Sequence, residues 1–452
     1  MGTARSIGLG RLVTDGVWPW PGTDGAGGQR MTEPRRDDPI GPNLFSETAH
    51  SEMRPSASGG SSPPMNLQFF TALGAVEQQW RIFEKSADCT VFQTFDWLSE
   101  WYRQIGSKRN LNAVIVLCCW TDGTLAFILP LAVEHHLISR RLTWLGSDLC
   151  DYNAPLLSPR FSSLVKPEQF QQLWQQIVDA IQDEPKLHCD AIEMYKMPQF
   201  VAGQPNPFLN LPVFPAGCSS YSVTLQTDWE KYYTARRSNR SRQTDRRKAK
   251  NLAKLGQIRF VEVRERADLQ HTMTVLMKQK HASFARMKVF DMFVAAGYPD
   301  FYQSIVTKDW FRHIVHLTRL DVGDIPAATG LGLRFNGCYY QIMSSYDERL
   351  SRYSPGRLLF YELMNLAISR RMRVFDLTIG DHEYKVEWSD TQLQLFSYLA
   401  SMTFKGRLIV QIRSITHHTG LWLNRFAWWP SVKLVLQKVR WACQKFRENG
   451  YV

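Results

Sequence analysis

Tyr353-Ser354-Pro355-Gly356-Arg357-Leu358-Leu359 is the stretch on which the reading of this chain turns. Two β-like runs precede it, residues 327–335 and 338–345, joined at Asn336-Gly337, a strong two-residue hairpin signal. A helical run follows over 358–372, then a strand-like run over 374–378 and a polar loop over 379–385. A strand that leads through a Gly-containing turn into a helix is a ready place for a phosphate. The first N–H groups of the helix have no internal partner and point at whatever sits there. The same residues also read as ordinary turn chemistry, with Ser354 as N-cap and Pro355 at the first helical position.

Beyond the turn lie residues of the types that act as general bases and as donors to a developing negative charge. Asp376 in the strand and His382, Tyr384 and Lys385 in the loop supply those types, and a solvated polar loop is the other reading. In this region the chain resembles the cofactor-binding half of the GNAT acyltransferases. In particular it is similar to the CelD/BcsL-like acetyltransferases, relatives of the FemABX aminoacyl transferases. The matching residues are Ser354-Pro355-Gly356 with Leu358-Leu359, Asp376, and Gly380-Asp381 followed by Tyr384-Lys385. Upstream, Phe92-Gln93-Thr94-Phe95-Asp96-Trp97 with Trp101, and Asp151-Tyr152 followed by Pro155-Leu156, extend the likeness over residues 66–404.

The resemblance implies an α/β fold with mixed sheets, built as tandem GNAT-like acyl-CoA N-acyltransferase domains. It also implies acetyl-CoA or another acyl-CoA held by Ser354, Gly356, Arg357 and Leu358, and no metal. Catalysis would fall to Asp376, His382, Tyr384 and Lys385. A small-molecule or saccharide acceptor would meet Asp151, Tyr152 and Tyr346. The turn departs from the common GNAT pattern: Arg352 lies one residue too far upstream of Gly356, and Leu358 stands where a small residue is usual.

Length and charge frame this reading. A chain of 452 residues exceeds one ordinary core, so two domains are expected. The net charge of +12 is concentrated in two segments. Residues 236–254 and residues 405–452 each hold nine basic residues and one acid, leaving the rest net negative. The eight cysteines form no CxxC and no zinc-ligand spacing; several fall in apolar runs, as buried thiols in a reducing cytoplasm would. No charged-then-apolar leader pattern is evident, and no run is apolar over the ~18 residues of a bilayer span.

Residues 1–64 contain 26 Gly, Pro and Ser and read as disordered. Residues 65–215 read as a first GNAT-like domain and 216–404 as a second, with 405–452 a basic, Trp-rich helical tail. Helices are expected over 73–85, 95–105, 167–181, 267–281 and 301–317. Strands are expected over 111–120, 125–133, 141–145, 190–194, 258–263 and 393–401. A Pro-rich connection spans 197–215. Trp97 and Trp101, four apart on one helix face, read as core.

The basic helix over 236–254 reads as a solvated face or a cationic wall of the active cleft, with tRNA contact as the alternative under a FemABX-like aminoacyl transfer. The tail's Trp422, Trp428, Trp429 and Trp441 among cations suit either docking on the body or a membrane surface. A non-catalytic scaffold of a polysaccharide-synthesis complex is the reading from a different class. No GxxxxGK[ST], GxSxG or HExxH motif is present, and Gly330-Leu331-Gly332 lacks the third glycine of a dinucleotide site.

Overall fold

The computed structural model describes residues 65–136, 138–380 and 382–423, with side chains as far as Ile415. The expected disorder of residues 1–64 and the side chains of the tail's tryptophans therefore lie outside what is described. Within it, one large mixed sheet runs the length of the molecule. Its strands are β1 (Asn66–Phe70), β2 (Leu111–Cys119), β3 (Leu125–His135), β4 (Arg140–Trp144), β5 (Ala191–Met197), β6 (Phe214–Thr224), β7 (Ile258–Glu262), β8 (Val315–Val322), β9 (Ile325–Phe335), β10 (Cys338–Tyr346), β11 (Val374–Ile379) and β12 (Thr391–Ser401). A two-residue strand, Leu156–Leu157, pairs with β3.

The spatial order is β1-β2-β3-β4-β5-β12-β6-β11-β10-β9-β8-β7, and it reads as one pattern written twice about the β12–β6 pair. In each half four antiparallel strands are followed by a parallel neighbour, β4 to β5 and β10 to β11. An antiparallel strand then closes each half, β12 on β5 and β6 on β11. Because β12 and β6 also pair with each other, the two halves share a continuous hydrogen-bonded ladder.

The helices are α1 (Glu77–Phe83), α2 (Phe95–Gln104), α3 (Pro167–Asp183), α4 (Trp229–Arg236), α5 (Asn239–Ala253), α6 (Arg266–Met287), α7 (Tyr298–Thr307), α8 (Pro355–Ser369), α9 (Glu383–Trp388) and α10 (Phe404–Leu423). On one face, α1, α2, α6 and α7 bury a core that spans both halves, with Trp97 of α2 edge-on to Phe301 of α7 at 5.0 Å. Trp97 and Trp101 are each 1% exposed, so both belong to this core. Truncating either to Ala is expected to cost about 3–5 kcal/mol. On the other face α3 covers the first half and α8 the second.

The turn at Asn336-Gly337 forms as its dipeptide predicts, with φ of 46° and 75°, the left-handed pair of a type I′ hairpin. Gly330 and Gly332 serve packing. A Cβ on Gly330 would press on Leu359 of α8, and one on Gly332 would overlap Tyr339.

Several expectations need correction. The helix expected over 301–317 stops at Thr307, and Val315–Val322 is β8. Its apolar residues fit both periods, and pairing with β7 and β9 decides for strand. The connection expected to end at Pro215 already contains the start of β6, at Phe214. That strand carries three serines, Gly217 and Pro215, residues of low β-propensity, and is held by ladders on both sides. The loop expected over 379–385 is half helix, since Glu383–Trp388 is α9. The helix expected over 73–85 is a 3₁₀ turn followed by α1, and β1 was not foreseen. A 3₁₀ helix, Glu348–Tyr353, stands between β10 and Ser354.

Candidate active site

The site grows out of the parallel pair β10–β11. These strands are in register over only three rungs, from Cys338↔Val374 to Tyr340↔Asp376. Beyond them β10 runs on to Tyr346 while β11 turns away. Asp376 occupies the last paired rung. Directly after it β11 bulges against β6, and Thr378 takes φ 61°, an unfavourable conformation for a β-branched residue. The bulge brings the Thr378 N–H onto Asp376 Oδ1 at 2.7 Å. Strain of this kind persists where the surroundings over-determine it, and it gathers at functional sites.

The first half supplies the second partner. Tyr152 OH donates to Asp376 Oδ1 at 2.7 Å across the junction of the halves. Phe92 packs edge-on against both Tyr152 and Tyr340. Burial pushes the Asp376 carboxyl up to about 7; the neighbouring Asp151 charge adds to the rise, and the Tyr152 and Thr378 hydrogen bonds and Lys385 oppose it. Asp151 is also raised, by burial, against the pull of Lys196 and Lys385. Two carboxyls that resist ionisation side by side leave Asp376 poised as a base near neutral pH.

Lys385, on the first turn of α9, is 5% exposed and donates to Ile379 O at 2.6 Å. His382, at the N-cap position of α9, is driven down to about 4 by burial and by Lys385 and Lys280, so its imidazole is neutral at pH 7. Tyr384 stacks on His382 and meets Phe360 edge-on, with 38% of its surface exposed. Asp381 lies outside the described residues.

Ser354 and the start of α8 form the other wall. Ser354 adopts the left-handed conformation, φ 56°, ψ 51°, and its side chain does not cap the helix. Its Oγ instead accepts from Lys248 Nζ of α5 at 2.8 Å. A Cβ on Gly356 would lie 3.3 Å from the Tyr346 ring, so Tyr346 sits beside the helix start. Arg357 pairs with Asp245 at 3.4 Å, and Leu358 is half-buried against the core. Asp245, 5% exposed, also accepts from Tyr233 and Tyr361 and pairs with Arg237. This buried carboxylate pins the basic helix α5 over the N-terminus of α8, making a cationic wall where the helix dipole is also positive.

The structure thus brings Asp151, Tyr152, Asp376, His382 and Lys385 into one cluster and Ser354, Gly356, Arg357 and Tyr346 into another, at the two ends of the β10–β11 divergence. Sequence reasoning missed Lys280, Lys248 and Lys196. Lys280 had a legible signal: it stands in the apolar stripe Leu269, Met273, Leu276, Phe284 of α6. It is 7% exposed, and burial and Lys385 push its ammonium down to about 7. Among the described residues no group of acids, histidines and cysteines could hold a metal.

Residues 239–386 match the family described as Acetyltransferase (GNAT) domain. The second half carries a GNAT acyltransferase domain. The match takes in α5, the whole divergence and the first turn of α9, and it supports an acyltransferase. Among solved structures the chain is similar to FemX, at 10% identity over 76% of this chain and 99% of that one, with a TM-score of 0.51. It is also similar to a conserved protein of unknown function from Bacteroides thetaiotaomicron, at 11% identity over 75% and 100%, TM-score 0.48. A tandem GNAT protein of the clavulanic acid biosynthesis pathway aligns at 10% identity over 74% and 98%, TM-score 0.42. No curated protein matches. The FemX likeness extends the fold to both halves, giving an α/β tandem architecture.

Proposed function

We propose that the protein transfers an acetyl or other acyl group from acyl-CoA to an amine or hydroxyl acceptor. One observation carries this reading: Asp376, with a pKa near 7, stands at the last rung of two parallel strands that part above the N-terminus of α8. Ser354, Gly356, Arg357 and Leu358, with Lys248, would hold the coenzyme phosphates, and its acyl arm would enter between β10 and β11. Asp376 would take the acceptor's proton. Tyr152 would orient that carboxylate, and Lys385 and Tyr384 would face the developing oxyanion. Neutral His382 would serve as a second proton carrier. Asp151 and Tyr152 would meet a small-molecule or saccharide acceptor, as expected from sequence, whereas Tyr346 belongs with the coenzyme wall.

Domains of 65–215 and 216–404, kinship with the CelD/BcsL-like enzymes, a polysaccharide or cell-envelope role and a cytoplasmic place are part of the same proposal. The exposed stripe Phe404, Leu408, Ile412 and Ile415 on α10 supports contact of the tail with a membrane surface. No helix among the described residues is long and apolar enough to cross one. Sedimentation with anionic vesicles tests this, and equal recovery with and without Leu408→Glu would reject it.

Calorimetric titration with acetyl-CoA tests the main reading. Micromolar-range binding is expected, with loss in Gly356→Trp, whose side chain would fill the coenzyme wall. A folded wild-type protein that binds no acyl-CoA would overturn the reading. A second reading, aminoacyl transfer from tRNA, is favoured by the exposed Arg240, Arg246, Arg247 and Lys250 of α5. Strongly salt-dependent tRNA binding without acyl-CoA binding would install it instead.

A further inference from the structure

Among the described residues Lys196 is a buried cation that the proposed reaction leaves unused. It stands at the end of β5 with φ 57°, its side chain 2% exposed, and its ammonium finds no hydrogen-bond partner among the described residues. A buried ammonium left without a hydrogen-bond partner is costly. Such a group persists where something else repays it. Its position is not random. In the repeated architecture β5 corresponds to β11, and Lys196 corresponds to Thr378: each is the left-handed residue of a bulge at the end of the parallel strand.

The charge around Lys196 locates its ammonium. It draws Asp148, Cys150 and Asp151 toward their ionised forms. Asp148 is already served, by Arg109 at 2.8 Å and by the Tyr298 hydroxyl. Asp151 is shared with Lys385. The next residue, Tyr152, reaches Asp376. Lys196 and Asp376 therefore lie at the two ends of the Asp151-Tyr152 segment, one in each half. The coenzyme wall has its own cation in Lys248, 2.8 Å from Ser354.

We infer that Lys196 receives an anionic substituent, a carboxylate or a phosphate, on the acyl acceptor, whose nucleophile then lies along Asp151-Tyr152 toward Asp376. The inference rests on the acyltransfer reading of Asp376. It makes the first half the acceptor-selecting half and names the acceptor's class, an amine or alcohol that carries a negative group.

The test is calorimetric titration of the full chain with glucosamine and glucosamine 6-phosphate, and with alanine and alanine amide, in wild type, Lys196→Met and Lys196→Arg. Acetyl-CoA is titrated into each in parallel. The expected result is at least tenfold tighter binding of one or both anionic members than of their partners lacking the charge. That preference is lost in Lys196→Met and kept in Lys196→Arg, with acetyl-CoA affinity unchanged throughout. The sugar pair reports phosphate and the alanine pair carboxylate. No charge preference in the wild type, or one that survives Lys196→Met, overturns the inference. Loss of acetyl-CoA binding in the wild type would instead strike the acyl-CoA reading, while the Lys196-dependent preference is still read from the acceptor pairs.

Discussion

The molecule contains two places where parallel strands part, and they differ in what meets the gap. In the first half β4 and β5 share two rungs, Arg141↔Ala191 and Leu142↔Ile192, before diverging. The chain itself closes onto the end of β5. Asn153 N–H donates to Lys196 O at 3.0 Å and Asn153 Nδ2 to Tyr195 O at 2.9 Å, while Trp144 packs on Phe208 at 5.0 Å. In the second half β10 and β11 part after three rungs, and the chain leaves through a 3₁₀ turn into α8. There the end of β11 is met by side chains, Lys385 on Ile379 O and Tyr152 on Asp376. Where Met194 sits fully buried in the first gap, the last rung of the second carries Asp376. One architecture, used twice, has its strand end met by its own loop in one half and by side chains from both halves in the other. Backbone polar groups must find partners. The first gap finds them in its own loop, and the second in the side chains of Lys385 and Asp376.

The largest break in this comparison comes from Asp376→Asn. Transfer is expected to fall about 10²–10⁴-fold, the ordinary worth of a general base, while Met194→Leu leaves kcat alone. In the wild type, kcat/KM should rise with pH through about 7 as Asp376 ionises. The same shift sets a stability slope. Between the ordinary carboxylate pKa and about 7, the unfolded chain is ionised and the folded one keeps its proton, so stability falls as pH rises across that window. Asp376→Asn should remove the slope and gain ~1–3 kcal/mol at pH 8 in urea unfolding, making the inactive variant the more stable.

Asn153→Ala probes the other gap. It should cost about 1–3 kcal/mol in urea unfolding, because the Tyr195 carbonyl at the end of β5 loses its donor, with acetyl-CoA affinity unchanged. Tyr152→Phe tests the bridge between the halves. Removing a donor to the Asp376 carboxylate should move the pH profile upward and lower activity at pH 7 about tenfold, with recovery at higher pH. The smallest effect is expected from Lys248→Met, a roughly three- to fivefold loss of acyl-CoA affinity with kcat kept.

Much of this was legible in the sequence because local chemistry and global architecture agree there. The Asn336-Gly337 hairpin, α3, the strands flanking Asp122-Gly123, and Ser354-Pro355-Gly356 at a helix start are set by turn residues and periodicity. What was hidden depends on long-range pairing. β6, with three serines and Gly217, has no strand signature of its own, yet it sits at the centre of the sheet. Its order comes from β11 and β12, which lie more than 150 residues away. β8 was absorbed into a helix because Ile305 to Leu317 offers apolar residues at both spacings. For the site, residue types near the turn pointed to Asp376 and Lys385. Neither Lys196 nor the Asp245 hub could be read, since a buried charge is recognised only once its surroundings are assembled.

Hydrogen exchange with and without acetyl-CoA tests the central claim most directly, that only the second gap receives the coenzyme. Added protection is predicted at the start of α8 and at the diverging ends of β10 and β11, with residues 145–155 and the end of β5 unchanged. Protection at the first gap, or at both gaps equally, would contradict the account.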